Sequence, residues 1–250
     1  MRAELTKVWA LRAALGVALF GSWVYATGPG EVSPVLLPRL ELVWRALVGF
    51  VQESKTWEHV GVTLFEIGIA FLGSIVAGIL VGFACSRTPL RAKVSEPLLA
   101  WGYMAPLVLF YPLFILWFGV GIWSKILYGV VSGFFPIAFN SLRGFQAVDE
   151  RYLRVARAFG ASPGQTDRLV KVRAALPMVL AGVRIGAALN IITVILAEML
   201  AAERGLGYEL AYASQTLQVP RVFAIIVVLL CVVALLQLLI QRFAKTRHEA

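Results

Sequence analysis

The sequence predicts an all-α integral membrane protein of six transmembrane helices, and three observations lead there. Sixty per cent of the 250 residues are hydrophobic, only 15% are charged and the mean hydropathy is +0.81. Soluble domains are roughly 45–50% apolar. Apolar runs close to the roughly 20 residues that a bilayer demands recur at 8–26, 60–85, 97–118, 122–142, 177–200 and 222–241. Lys and Arg gather in alternate connections between these runs, as topology signals do. The net charge of +9 is spread over those short clusters, a pattern that argues against nucleic-acid binding.

Taken in order, the first run, Val8 to Tyr25, follows Arg2 and Lys7. It is expected to be a retained span, because Ala-Thr-Gly-Pro-Gly follows it where a signal peptide would have a small-residue cleavage site. The connection 27–59 contains an apolar-periodic stretch from Leu40 to Val51, which predicts a short helix on the outer surface. Span two is the long run 60–85. Only Gly119-Val120-Gly121 separates spans three and four, so these are predicted to be antiparallel neighbours. Pro106, Pro112 and Pro136 are expected to interrupt them where a pathway bends. Spans five and six complete the set, and the whole chain, 1–250, reads as a single transmembrane domain with its core at 60–241.

Arg2, Lys7 and Arg12, then Arg87, Arg91 and Lys93, then seven basic residues in 143–173, then Arg242, Lys245 and Arg247 hold most of the 23 basic residues. With six spans these four clusters fall on one side, which places both termini and the segment 143–173 in the cytoplasm. Connections 27–59 and 201–221 are mixed in sign and face outward.

The segment 143–173 is too polar to cross the membrane. Leu153, Ala156 and Phe159, with Val155 and Ala158 nearby, make an apolar stripe at helical spacing, while Arg151, Arg154 and Arg157 take other faces. Asp149 and Glu150 stand where negative charge favours a helix N-terminus. Gly160 permits a turn, and Ser162-Pro163 reads as N-cap and first residue of a second short helix. Ala156, Ala158, Gly160 and Ala161 are small enough for a partner's backbone to approach closely. A water-facing amphipathic insert of this kind suits docking to a soluble partner that powers transport.

This spacing resembles the cytoplasmic loop of binding-protein-dependent ABC transporter permeases, in which Glu-Ala-Ala, three residues, Gly, nine residues and Ile-x-Leu-Pro build the helix that docks into the ATPase. The matching positions here are Arg154-Val155-Ala156, Gly160 and Val170-Lys171-Val172-Arg173. Arg154 replaces the acidic residue and Arg173 the final Pro, so a partner with compensating acidic residues is expected. Leu36-Leu37-Pro38, Pro112 to Lys125, Phe134-Phe135-Pro136, Ala174 to Arg184 and Ala197-Glu198 to Tyr208 look like the nitrate, sulfonate and taurine branch of that family.

The resemblance implies a type I ABC importer permease of the bacterial inner membrane, with a coupling helix between helices four and five. Its implied partners are a second permease copy, expected to be identical, an ABC ATPase dimer and an extracytoplasmic solute-binding protein. Arg154, Val155, Ala156, Arg157, Phe159, Gly160, Ala161 and Ser162 are the implied ATPase-coupling residues. The chain has no Gly-x-x-x-x-Gly-Lys-Ser/Thr phosphate loop. It is therefore expected to be no enzyme and to carry no cofactor, with ATP and magnesium bound by the partner subunits. Membrane lipid is the remaining partner, and the solute is expected to be a small organic or inorganic anion such as a sulfonate, taurine or nitrate.

Ionisable groups inside spans cost about 2.5–3.5 kcal/mol on insertion scales and are functional candidates by default. Glu66, Arg184 and Glu198 stand out on that basis. Glu198 precedes a Gly-Leu-Gly turn that suits an outer gate, or it takes a helix-end position near the headgroups. Arg184 lies two turns inside span five, where it either snorkels inward or attracts an anion. Glu66 suits an interhelical hydrogen bond. Tyr103, Met104, Tyr111, Asn190 and Thr193 offer lining without charge, and the gate or pathway set is Tyr111, Arg184, Asn190, Thr193 and Glu198. An ion-gradient-driven secondary transporter using Glu66 and Glu198 is the alternative. With His59 and His248 as the only histidines and Cys85 and Cys231 far apart, a metal centre or intramembrane enzyme has almost no material.

Overall fold

The computed structural model describes residues 2–30 and 32–245. Arg247 of the basic tail lies outside them. All regular structure among the described residues is helical: α1 (Arg2–Thr27), α2 (Leu40–Gln52), α3 (Ser54–Ser86), α4 (Pro89–Met104), a 3₁₀ turn (Leu107–Phe110), α5 (Tyr111–Phe118), α6 (Ile122–Gln146), α7 (Glu150–Ala158), α8 (Pro163–Thr166), a π turn (Asp167–Lys171), α9 (Val172–Leu200), α10 (Leu206–Gln215) and α11 (Val219–Lys245). Five stretches are long and apolar enough to cross a membrane, and a bent pair makes a sixth if it is one span.

That bent pair breaks the third span at Pro106, as the sequence leads one to expect. α4 and the 3₁₀ turn with α5 meet at 82°. Pro106 has no N–H to donate and disfavours helix at the residue before it, and Ala105 is extended at φ −62°, ψ 136°. Pro112 and Pro136 do not interrupt their helices. Pro112 sits in the first turn of α5, where its missing donor is harmless. α6 runs through Pro136 unbroken. Gly119, at φ 76°, ends α5 in the left-handed region and makes the short turn into α6.

The chain divides into two compact units. One gathers the residues up to Trp57 with Glu209–Leu230. In it, Trp23 donates Nε1–H to the Pro38 carbonyl at 2.9 Å and meets Phe223 edge-on at 5.1 Å. The expected outer helix is α2, which buries Val43 and Phe50 and leaves Trp44 exposed. Arg221 of α11 binds both Glu53 oxygens at 3.0 and 3.2 Å and Glu209 at 3.1 Å, with its guanidinium over the Phe50 ring.

The other unit, Glu58–Tyr208 with the chain from Cys231, is built on the crossing of α6 and α9. Glycine lets the backbones touch there. A Cβ on Gly186 would stand 2.9 Å from the Gly133 carbonyl oxygen and 2.6 Å from the Ile137 side chain. Around this crossing Ile67, Ala70, Ile126, Ile191 and Val194 form one buried cluster, and Ala92 and Leu99 of α4 pack on Ala138 and Leu142 of α6.

Candidate coupling surface and buried polar cluster

α7 begins where Asp149 accepts the Arg151 N–H at 2.8 Å, an N-cap with the added benefit of negative charge at a helix start. It ends in a Schellman turn. Ala161 N–H reaches the Ala156 carbonyl and Gly160 N–H the Arg157 carbonyl, each at 3.0 Å. Gly160 supplies the required positive φ of 75°. Ser162 then starts the next helix with a capping box: its N–H donates to Gln165 Oε1 at 2.8 Å, and its Oγ accepts the Gln165 N–H at 3.3 Å. The second helix is not a separate short one, as the sequence suggested. Through the π turn it continues into α9, so one helical run extends from Pro163 to Leu200.

α7 buries none of its residues. Leu153, Ala156 and Ala161 are half-buried, whereas Tyr152, Val155 and Phe159 are exposed, Phe159 by 88%. Arg154 makes only a loose pair with Glu150 at 3.9 Å, and Arg157 Nε donates to the Leu153 carbonyl at 3.2 Å. Gly160 and Ser162 are exposed as well. Every candidate coupling residue therefore lies on or beside one amphipathic surface that this chain leaves uncovered.

A second constellation is buried. Glu66 on α3 and Lys125 on α6 form an ion pair at 0% and 4% exposure. Lys125 is the functional-class residue that reasoning on the sequence missed. The signal was present, since it is a charge four residues into span four, a costly place that a carboxylate such as Glu66 offsets. The pair lines a cavity of about 230 Å³ together with Val62, Gly121, Ala202 and Arg204.

Glu198, 1% exposed at the end of α9, accepts the Thr63 hydroxyl at 2.7 Å and the Gly207 N–H at 2.8 Å. Thr63 Oγ1 in turn accepts the Leu206 N–H at 2.9 Å, and His59 Nδ1 the Gly205 N–H at 3.0 Å. The first N–H groups of α10, which have no partner within their helix, are thus satisfied by α3 and α9. Gly205, at φ 115°, has the Glu198 carboxylate where a Cβ would go. The other gate or pathway candidates scatter. Asn190 donates to the Gly129 carbonyl at 3.0 Å, Thr193 bonds Ser132 at 2.7 Å, and the Tyr111 ring stands 5.0 Å from that of Tyr128, all three buried. Arg184 is exposed on α9 with no carboxylate partner among the described residues.

A helical membrane chain that leaves an amphipathic surface uncovered between two of its spans has the form of one subunit of a larger membrane assembly. Residues 74–248 match the family described as binding-protein-dependent transport system inner membrane component, and the chain belongs to that family. It is 33% identical to the taurine transport system permease protein TauC of Escherichia coli K12, over 90% of this chain and 83% of that protein. It is 34% identical to the formylaminopyrimidine transport permease protein ThiX of Halalkalibacterium halodurans, over 78% of each. A solved structure of the MetNI methionine ABC transporter in inward-facing conformations shares the fold, at a TM-score of 0.58 and 21% identity, over 77% of this chain and 94% of that one.

The chain is thus the permease subunit of an ABC importer and a multi-pass protein of the bacterial inner membrane. Family membership implies association with an ATPase and a substrate-binding protein, and the permease subunit is not itself the ATPase.

Proposed function

We propose that this chain forms, with a second identical copy, the pathway through which a small anionic solute enters the cell. An organic sulfonate such as taurine is the leading solute class, supported by the identity to the taurine permease named above. The solute is delivered by the extracytoplasmic binding protein, and two ATPase subunits bind ATP and magnesium. Both termini and α7 face the cytoplasm, where the surface from Arg154 to Ser162 docks on the ATPase.

A single observation carries this reading: the exposed apolar face of α7, fixed by the Gly160 turn to a helical run that continues to Leu200. Because 38 residues stand in unbroken helix, closure of the ATPase pair moves α9 with α7. A ligand shifts such a two-state system only through differential contact with its states, and ATP supplies that contact on the partner. At the other end of α9, Glu198 binds the Gly207 N–H of the turn into α10, and an outer gate there opens as this turn moves.

The complete complex in proteoliposomes tests this. Uptake of radiolabelled taurine or ethanesulfonate should require ATP with the ATPases and persist when ionophores collapse the proton and sodium gradients. Uptake that stops with the gradient at constant ATP would instead favour secondary transport through Glu66 and Glu198.

A further inference from the structure

Arg168 and Arg173 are five residues apart, a separation that a regular α-helix sets about 140° apart around its axis. Between them the helix widens into the π turn Asp167–Lys171, closed by the Val172 N–H on the Asp167 carbonyl. Such an i→i+5 turn brings residues five apart round to one side, and π turns of this kind concentrate at functional sites. Arg168 and Arg173 both line one concavity of about 620 Å³, whose walls include Ser162, Gln165 and Leu169.

The nearby acids are engaged elsewhere. Asp167 pairs with Lys171 at 2.7 Å and faces Arg87 at 3.9 Å, Asp149 pairs with Arg151, and Glu150 with Arg154. Neither Arg168 nor Arg173 has a carboxylate or hydrogen-bond partner among the described residues, and both are exposed. Two arginines on the wall of one hollow gather positive charge there, and their forked donors suit a carboxylate.

We infer that this concavity is a socket for an acidic side chain of the ATP-hydrolysing subunit, an inference that rests on the docking reading of α7. The socket adjoins α7, which contacts the π turn, and its wall carries the exposed Leu169, so it extends the same uncovered surface. A phospholipid headgroup fits less well. Arg168 lies nine residues before Pro177, where the apolar run begins, or about 13 Å along the helix. A lipid phosphate at the start of the span lies nearer Arg173 than Arg168.

The full chain purified in mild detergent with the ATPase of its own complex provides the test. Arg168→Lys/Arg173→Lys keeps both charges and gives each position an amine that a water-soluble carbodiimide joins only to a carboxylate in direct contact. Mass spectrometry should map an amide from either position to an Asp or Glu of the ATPase. Arg168→Gln/Arg173→Gln should lower the ATPase retained at moderate salt by about tenfold relative to the Lys pair, as loss of charge complementarity does. A complex that forms without such a crosslink overturns the inference and leaves the docking reading intact. Loss of co-purified anionic phospholipid from the Gln pair, at unchanged ATPase retention, overturns it in the same way. A wild-type chain that retains no ATPase at all sinks both.

Discussion

The buried Glu66–Lys125 pair separates two consequences of desolvation. Removing one partner leaves an uncompensated charge, which costs about 3–5 kcal/mol, whereas replacing both with apolar residues of similar volume is often neutral. Glu66→Leu should therefore lower the unfolding midpoint of the detergent-solubilised chain strongly, and Glu66→Leu/Lys125→Met should recover most of the loss. Equal loss in both variants would mean that the pair holds a conformation rather than balancing charge. Residues taken in isolation pointed to Glu66 but not to Lys125, because the need for a partner belongs to the pair. Glu198 was legible as a costly carboxylate. Its task of capping α10 was not, since the turn that returns the Gly207 N–H to the carboxylate, and the Thr63 hydroxyl some 135 residues away that binds it, belong to the fold.

At the scale of elements, apolar periodicity and caps located most helices, including α2 and α7. Two departures share a cause: backbone geometry set by context. Pro106 and Pro136 look alike in sequence, yet only the first breaks a helix. The π turn that merges α8 with α9 leaves no compositional mark. Helix crossings add a testable contrast between glycines on different helices of this unit. A methyl at Gly186 meets Ile137 and the Gly133 carbonyl, whereas one at Gly68 meets nothing within 4 Å. Gly68→Ala should be neutral or stabilise by up to about 1 kcal/mol through helix propensity. Gly186→Ala should destabilise by about 1–3 kcal/mol through overpacking. Thermal unfolding in detergent reads the sign of each.

For the whole molecule, the class of membrane protein followed from composition and run length, and the family from the motif around Gly160 together with the segments at 36–38, 112–125, 134–136, 174–184 and 197–208. The solute did not follow, because binding-protein-dependent import places most recognition on a receptor outside this chain. The amphipathic insert proposed to dock was legible in outline, and its uncovered state needed the fold. Arg154 and Arg173 stand at positions that the family motif fills otherwise, and the fold joins Arg173 to Arg168 in one concavity. The central claim is that α7, held by its Gly160 turn, transmits ATP hydrolysis to the spans.

The direct test is to purify the tagged chain with its partners in mild detergent and to assay co-purifying ATPase and solute-stimulated hydrolysis before and after Gly160→Asp. A φ of 75° disfavours most L-residues by about 1–2 kcal/mol and Asp by less, so the variant acts mainly by adding a bulky negative side chain to the exposed face beside α7. An ATPase that co-purifies with the wild type and loses association or stimulation in the variant, with membrane insertion intact, is the predicted result. A chain that purifies alone and transports without ATP would contradict it.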